Sequence, residues 1–155
     1  MKTKINKEFI ENLYLGRLLN FDSEVESFAI DSRKIQKNMG FVALSGENTD
    51  GHNYIQDAYQ NGASLIIIAR DWWQAHHQVT NLPVLITEDP QRALQKIATE
   101  YRKTFSHPVL CVTGSNGKTT TVNMIAKALS KKYNVHTTIG NYNNQLGVPL
   151  SILRH

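Results

Sequence analysis

The glycine-rich stretch TGSNGKTTT, residues 113–121, constrains the fold more than any other part of the sequence. The apolar run before it, residues 109–112, is typical of a strand, and a helix is predicted after it over residues 118–130. Gly114 and Gly117 let the backbone bend so that successive N–H groups face one anion. The positive end of the following helix points at the same place. The pattern therefore predicts a phosphate-binding loop between a strand and a helix.

The spacing of this loop is shorter than that of a Walker A motif, G-x-x-x-x-G-K-[ST]. The position five residues before Gly117 is Val112, and the first glycine is Gly114, which gives G-x-x-G-K-T-T. The demands of phosphate binding are still met, because Lys118 can reach the β- and γ-phosphate oxygens of ATP. The hydroxyl of Thr119 can bind Mg²⁺, which prefers hard oxygen ligands. A glycine turn with an incidental lysine is the simpler alternative, and the flanking strand and helix disfavour it.

We therefore predict an ATP-binding loop in which two residues also serve catalysis and one binds the metal ion. Lys118 and Thr119 are the predicted catalytic residues, and Thr119 is also the predicted Mg²⁺ ligand. The predicted nucleotide-binding residues are Gly114, Ser115, Asn116, Gly117, Lys118, Thr119 and Thr120. The loop by itself does not distinguish a kinase, an ATPase and a ligase.

The composition is that of a globular protein and argues against two classes of partner. Hydrophobic residues make up 41% and charged residues 19% of the 155 residues. The net charge of +4 is spread along the chain, whereas nucleic-acid binders concentrate basic residues, so no nucleic-acid partner is expected. The longest apolar run, residues 65–69, is far shorter than the ~20 residues of a membrane span. The single cysteine, Cys111, excludes an internal disulfide, and we predict a small core thiol in a cytoplasmic protein.

Hydrophobic periodicity predicts strands and helices on both sides of a junction at residues 104–108. The elements predicted before the junction are helices at 6–13, 53–61 and 89–103 and strands at 28–30, 41–44, 64–69 and 82–87. The third of these strands is apolar throughout, which indicates that both of its faces are covered. Trp72 and Trp73 are expected to pack a helix onto the sheet. The junction divides the chain into a first domain, residues 1–104, and a second domain, residues 105–155.

The second predicted domain contains little more than one strand–helix–strand unit. Its strands are predicted at 109–113 and 135–138, with the helix at 118–130 between them. Such a unit leaves one sheet face and both sheet edges uncovered, so we expect the chain to be the beginning of a longer protein. The predicted fold class is therefore α/β: a small mixed α/β domain followed by the first strand–helix–strand unit of a P-loop ATPase domain.

Three segments together resemble the Mur ligase family, the ATP-dependent amino-acid-adding enzymes of peptidoglycan precursor synthesis. The segments are DSRKIQKNMGFVALSGENTDGHNYIQDAYQNGA (31–63), VTGSNGKTTT (112–121) and GNYNNQLGVPLSIL (140–153). The first resembles the amino-terminal uridine-nucleotide domain of the family, and the second resembles its P-loop. The third resembles the family member that adds the terminal dipeptide. The relative that adds the third residue typically carries a Thr-Thr-Pro type loop there instead.

The resemblance implies a second group of binding residues. Ser32 and Arg33 would lie at the uridine-diphosphate pocket, where a hydroxyl and a guanidinium can donate hydrogen bonds to phosphate oxygens. The alternative for Arg33 is a surface ion pair with the neighbouring aspartate. Asn141, Asn143 and Asn144 would face the sugar-peptide substrate near the γ-phosphate, although so many asparagines could also form a plain turn.

The resemblance also implies ATP, Mg²⁺ and two further substrates. The carboxylate of UDP-N-acetylmuramoyl-tripeptide would attack the γ-phosphoryl group to give an acyl phosphate, and the amine of D-alanyl-D-alanine would then displace phosphate. Catalysis of the first step is mostly positioning and charge neutralisation. Residues 46–52 would edge the uridine pocket. We expect a monomer, and we expect the 155 residues to be inactive alone because other family parts are missing.

Two alternatives stay open from the sequence. The related ligase that adds the third peptide residue is disfavoured by GNYNNQLGVP, residues 140–149. A non-catalytic module that binds a uridine nucleotide or ATP is supported by the short chain.

Overall fold

The computed structural model describes residues 4–47, 49–76, 81–138 and 144–154. The strands are β1 (Gly16–Leu19), β2 (Ser27–Ala29), β3 (Met39–Val42), β4 (Ala63–Ala69) and β5 (Val84–Thr87). The helices are α1 (Lys7–Glu11), α2 (Ile55–Gln60), α3 (Arg70–Ala75), α4 (Pro90–Lys103), α5 (Lys118–Leu129) and α6 (Gly147–Ile152). Short 3-10 turns cover Ser32–Lys34 and Gly51–Tyr54. These elements confirm the predicted α/β class.

The five strands form one mixed sheet in the order β1-β5-β4-β3-β2. β2, β3, β4 and β5 run parallel to one another, and β1 pairs with β5 in the antiparallel direction. The carboxyl ends of parallel strands meet at one edge of a sheet, and ligands of α/β proteins bind outside that edge. We call it the carboxyl edge. The segments that follow β2, β3, β4 and β5 therefore lie along it.

Both faces of the sheet are covered, as the apolar sequence of β4 predicts. Leu65 and Ile67 belong to the core on one face, and Ile66 and Ile68 belong to the core on the other face. This alternation follows from the two-residue period of a strand. α4 covers the first face, and α2 and α3 cover the second. The predicted packing of Trp72 and Trp73 on the sheet is confirmed, since both contact the second core.

α4 is the longest helix in the described part of the chain. No helix there is long and apolar enough to span a bilayer. The carboxylate of Asp89 caps its amino end by accepting hydrogen bonds from the N–H groups of Gln91 at 2.9 Å and Arg92 at 3.1 Å. The following proline suits the first turn, where its missing N–H costs nothing. The buried positions of α4 recur at helical spacing: Pro90, Ala93, Leu94, Ile97, Ala98 and Tyr101. The predicted helix at 89–103 is therefore confirmed.

Arg102, near the carboxyl end of α4, holds the residues that follow the helix. The Arg102 guanidinium donates hydrogen bonds to the carbonyl oxygens of Phe105 at 2.7 Å and His107 at 3.2 Å. The same guanidinium lies 4.7 Å from the centroid of the Phe105 ring. Arg102 therefore fixes the path of the predicted junction at residues 104–108.

Near the amino end of α4, two glutamines bind Gln145, which lies just before the start of α6. Gln91 donates a hydrogen bond to the side-chain carbonyl of Gln145 at 3.0 Å, and Gln95 donates to its backbone carbonyl at 3.1 Å. α6 follows at once and buries Leu150 and Leu153 in the core that α4 covers. α6 is not predicted from the sequence. The segment between residues 105 and 145 is thus attached to α4 at both of its ends.

α5 confirms the helix predicted after the glycine-rich loop, but the two strands predicted beside it are wrong. Residues 109–113 and 135–138 form no strand, and Leu110 is 66% exposed. A strand needs a neighbour for its backbone hydrogen bonds, and β1 to β5 pair with one another. The predicted core position of Cys111 is wrong for the same reason, since this residue is exposed.

Candidate functional site

The phosphate loop, residues 114–120, has the backbone geometry that its two glycines predict. Gly114 and Gly117 have φ angles of 145° and 77°, and Gly117 stands in the left-handed region as the N-cap of α5. No side chain of the described residues caps this end of α5. The N–H groups of the first helical turn, which have no partner inside a helix, are therefore not taken by a capping side chain. Such an end favours an anion.

Lys118 lies directly over this loop. Its ammonium group donates hydrogen bonds to the backbone carbonyls of Gly114 and, at 3.4 Å, of Ser115. Thr119 and Thr120 follow it in the first turn of α5 and are exposed. The structure thus brings the predicted nucleotide-binding residues together in one exposed turn. Their roles in binding ATP and Mg²⁺ stay predictions.

The segment after β2 begins the second site. The carboxylate of Asp31 accepts a hydrogen bond from the Arg33 backbone N–H at 3.1 Å and two from the Arg33 guanidinium at 2.9 and 2.8 Å. The guanidinium hydrogen bonds hold the pKa of Asp31 below its ordinary value, and Asp31 in turn raises the pKa of Arg33. Arg33 is 87% exposed at its side chain, whereas Ser32 is buried. A diphosphate at this position would therefore share Arg33 with Asp31.

Residues from two further segments reach the same place. The Asn61 amide at the end of α2 donates a hydrogen bond to the Ser32 carbonyl at 3.1 Å. The phenol of Tyr54 lies 3.3 Å from the Thr49 hydroxyl. α2 contacts both 3-10 turns, the one that contains Arg33 and the one that contains Tyr54. We call Ser32, Arg33, Thr49 and Tyr54 the sheet-edge site. Thr49 lies in the range 46–52 that the family resemblance places at the edge of the uridine pocket. Tyr54 and Asn61 are not predicted, because no spacing in the sequence connects them with Ser32.

Asp50 closes the loop that carries Thr49. One oxygen of its carboxylate lies within hydrogen-bonding distance of the Ser45 hydroxyl (3.2 Å), the His52 N–H (3.0 Å) and the His52 Nδ1 (2.6 Å). Partial burial raises the pKa of Asp50, but the hydrogen bonds from His52 and Ser45 outweigh it and hold the pKa below its ordinary value. The ionised carboxylate therefore contributes to the stability of this loop.

We expect Asp50 to account for part of the loss of stability in acid. Its pKa in the folded chain lies below that of an unfolded aspartate, about 3.9. The unfolded state therefore takes up the proton first, and stability falls as the pH drops through the folded value. The free energy of urea unfolding, measured between about pH 6 and about pH 3, should fall less in Asp50→Asn than in the unchanged chain. Asp71→Asn, at an exposed acidic residue of α3, serves as the control. Equal pH dependence in Asp50→Asn and the unchanged chain contradicts the expectation.

The predicted asparagine cluster is described only in part. Asn141 and Asn143 lie outside the described residues. The side-chain oxygen of Asn144 accepts hydrogen bonds from the N–H groups of Leu146 at 3.1 Å and Gly147 at 2.7 Å. Asn144 therefore fixes the start of α6, and its contact with a substrate stays a prediction. Among the described residues, no group of three or more His, Cys, Asp or Glu side chains could hold a metal ion.

Two family models match most of the chain between them. The model described as "Mur ligase family, catalytic domain" matches residues 24–102, and the model described as "Mur ligase middle domain" matches residues 112–155. The sheet-edge site lies in the first match, and the phosphate loop lies in the second.

Relatives and solved structures agree with these models. The chain is 36% identical over 147 residues to the UDP-N-acetylmuramoyl-tripeptide–D-alanyl-D-alanine ligase of Bacillus subtilis, with 93% of this chain and 32% of that enzyme covered. A solved D-alanyl-D-alanyl-adding ligase of Acinetobacter baumannii superposes with a TM-score of 0.80 at 28% identity, over 99% of this chain and 34% of that one. The MurF ligase of Thermotoga maritima in complex with ADP superposes with a TM-score of 0.69 at 37% identity, over 83% of this chain and 29% of that one. The chain thus spans about a third of the length of these proteins.

Proposed function

Because the chain belongs to the Mur ligase family, we propose that it is the amino-terminal part of an ATP-dependent ligase. That ligase adds D-alanyl-D-alanine to UDP-N-acetylmuramoyl-tripeptide, the reaction named for its relative in Bacillus subtilis. Residues 1–104 form the uridine-nucleotide domain in this proposal, and residues 105–155 begin the ATP-binding domain. The similarity to a ligase solved with ADP supports the choice of ATP.

The observation that carries the proposal is the geometry of the phosphate loop. Gly117, in the left-handed region, has no side chain with which to cap the amino end of α5, and Lys118 lies over the loop. In the proposed reaction, a carboxylate oxygen of the tripeptide forms a bond to the γ-phosphorus as the bond to ADP breaks. The acyl phosphate then reacts with the amine of D-alanyl-D-alanine and releases phosphate. Lys118 binds the β- and γ-phosphate oxygens and neutralises their charge.

Mg²⁺ fits this loop only together with the nucleotide. Mg²⁺ is commonly held by one or two protein groups, with phosphate oxygens and water completing the shell. Thr119 offers one exposed hydroxyl beside Lys118. In the proposed function, this hydroxyl would hold the ion, which would supply positive charge beside the phosphate oxygens.

The remaining residues of the proposal bind the uridine substrate. Ser32 and Arg33 contact the diphosphate, and Asn141, Asn143 and Asn144 face the sugar-peptide. The exposed guanidinium of Arg33 supports this role, because it can donate to a phosphate while it keeps one bond to Asp31. We further propose that the protein is monomeric and works in the cytoplasm without a nucleic-acid partner.

Binding of UDP-N-acetylmuramoyl-tripeptide to the 155-residue chain tests this function. We expect binding by isothermal titration calorimetry, weaker binding of the corresponding dipeptide, and no thermal stabilisation by duplex DNA. Arg33→Ala should weaken binding of the tripeptide nucleotide about tenfold or more, because hydrogen bonds to charged groups contribute ~1.5–3 kcal/mol. Lys34→Ala, at the next exposed residue, is the matched control and should bind like the unchanged chain. Absence of tripeptide-nucleotide binding, or stabilisation by DNA alone, would refute the proposal.

A further inference from the structure

His52 is a buried histidine with a partner at each ring nitrogen. It is 3% exposed and lies in the 3-10 turn that follows the loop at residues 45–50. Its Nε2 accepts a hydrogen bond from the backbone N–H of Ala69 at 3.0 Å, at the end of β4. Its Nδ1 lies 2.6 Å from the carboxylate of Asp50. Trp72 of α3 stacks on the imidazole, with ring centroids 5.1 Å apart.

These partners determine where the imidazole carries its proton. A nitrogen that accepts a hydrogen bond from a backbone N–H cannot itself be protonated. Nε2 is therefore the bare nitrogen, and Nδ1 carries the proton and donates it to Asp50. In a neutral histidine, the hydrogen bond made by one ring nitrogen commonly determines which nitrogen carries the proton.

His52 thereby connects the end of β4 with the loop at residues 45–50. Asp50 passes the connection on, because the same carboxylate oxygen accepts from Ser45. Two backbone hydrogen bonds close the loop, from Gly46 to the Thr49 carbonyl at 3.0 Å and from Gly51 to the Leu44 carbonyl at 2.8 Å. The loop in turn carries Thr49, whose hydroxyl lies beside the Tyr54 phenol at the sheet-edge site.

We propose that His52 is a positioning residue for the sheet-edge site: through its Nδ1–H bond to Asp50 it holds Thr49 and Tyr54 beside Arg33 in the geometry that binds a nucleoside diphosphate. This inference rests on the proposed uridine-nucleotide function of that site. In this proposal His52 acts through Asp50 and not by touching the ligand, since only 3% of it is exposed. The hydrogen bond from the Ala69 N–H orients the imidazole, and the imidazole donates to Asp50. The loop is thereby held in a fixed position relative to the end of β4.

Two substitutions separate the two bonds of the imidazole. An asparagine amide nitrogen at position 52 reaches about where Nδ1 lies and can still donate to Asp50. A glutamine carbonyl oxygen reaches about where Nε2 lies and can still accept from Ala69, but the bond to Asp50 is lost. Both His52→Asn and His52→Gln remove the stacked ring, so both should lower the stability of the chain.

The test compares UDP affinity and stability in these two variants. We expect His52→Asn to bind UDP within about twofold of the unchanged chain and His52→Gln to bind it about tenfold more weakly, as the loss of one hydrogen bond at a charged group allows. His76→Asn is the control, because His76 also stacks on Trp72 but its Nδ1 lies beside the Trp72 carbonyl and not beside Asp50 or Ala69. Its UDP affinity should not change. Equal losses of affinity in the Asn and Gln variants, in step with their losses of stability, would overturn the positioning role.

A measurement without ligand separates this inference from the proposed function. The nitrogen chemical shifts of the His52 imidazole should show a protonated Nδ1 and a bare Nε2 in the unchanged chain. The opposite tautomer refutes the inference and leaves the proposed function standing. If the unchanged chain has the expected tautomer but does not bind UDP, the proposed function fails, and the inference fails with it.

Discussion

Replacing Lys118 with alanine is expected to weaken the binding of ATP–Mg²⁺ to the chain by about 10- to 100-fold, because hydrogen bonds to charged groups contribute ~1.5–3 kcal/mol and tenfold in affinity corresponds to ~1.4 kcal/mol. Lys118 is the cation of the phosphate loop, and its ammonium group lies on the carbonyls of Gly114 and Ser115. A triphosphate that enters the loop offers oxygens that can replace these carbonyls. Without the ammonium group, the backbone N–H groups of the loop alone would stabilise the negative charge of the triphosphate. Calorimetric titration of the chain with ATP–Mg²⁺ measures the loss.

Lys127→Ala is the matched control for this prediction. Lys127 is an exposed lysine in the last turn of the same helix, so its removal changes the net charge equally but lies away from the loop. It should leave ATP affinity almost unchanged. UDP affinity should be the same in both variants, because UDP binds at the carboxyl edge of the sheet in the proposed function. A similar loss of ATP affinity in the two variants would mean that the lysines act through net charge and that the loop is not the binding site.

Leu94→Ala is expected to lower the free energy of unfolding by about 2–5 kcal/mol, the range found when a buried leucine is truncated in a core. Leu94 is fully buried on the inner face of α4 and belongs to the core between this helix and the sheet. The substitution removes apolar contacts and leaves a cavity that a helix packed on a sheet cannot fully close. Native proteins are stable by only ~5–15 kcal/mol, so the change should be evident in a urea-unfolding curve.

The same substitution at Leu110 provides the comparison. Leu110 is 66% exposed in the segment between α4 and the phosphate loop. Leu110→Ala should therefore change the free energy of unfolding by no more than ~0.5 kcal/mol, as is usual for surface positions. A loss at Leu110 as large as that at Leu94 would show that residues 109–113 are packed in solution, as the sequence predicts for a strand.

The elements that the sequence predicts well are those whose signals are local. α4 has its capping aspartate, its first-turn proline and a helical repeat of apolar residues within 14 residues. β4 has a continuous apolar run, which is typical of a strand covered on both faces. The turn of the phosphate loop also follows from local sequence, because Gly114 and Gly117 supply the positive φ angles.

The elements that the sequence does not predict depend on contacts made far along the chain. β1 contains Gly16 and pairs with β5, some 70 residues later, so no local pattern marks it. α6 contains Gly147 and Pro149, both poor helix formers. The proline is tolerated because it lies in the first turn, and burial of Leu150 in the core of α4 outweighs the poor propensity. Tertiary packing decides both elements.

The candidate sites divide in the same way. The phosphate loop is contiguous, so the spacing of its residues is sufficient to predict which of them lie together. The sheet-edge site is assembled from segments after β2 and β3, which the parallel pairing of those strands brings to the same edge of the sheet. A single sequence carries no signal for that pairing, and the family resemblance supplied Ser32 and Arg33 but not Tyr54.

The double attachment of residues 105–145 to α4 has a geometric consequence. The segment departs at Arg102 and returns at Gln91 and Gln95, between seven and eleven residues earlier on the same helix. At ~1.5 Å of rise per residue, these anchors stand roughly 10–16 Å apart along the helix axis. A deletion or insertion between these residues of α4 would rotate Arg102 by ~100° per residue about the helix axis relative to Gln91 and Gln95. The two ends of the segment that carries Lys118 would then no longer be held in their present positions. We therefore expect the length of α4 to tolerate no change. Insertions at exposed described positions of the segment should be tolerated, because they move neither Arg102 nor Gln91 and Gln95.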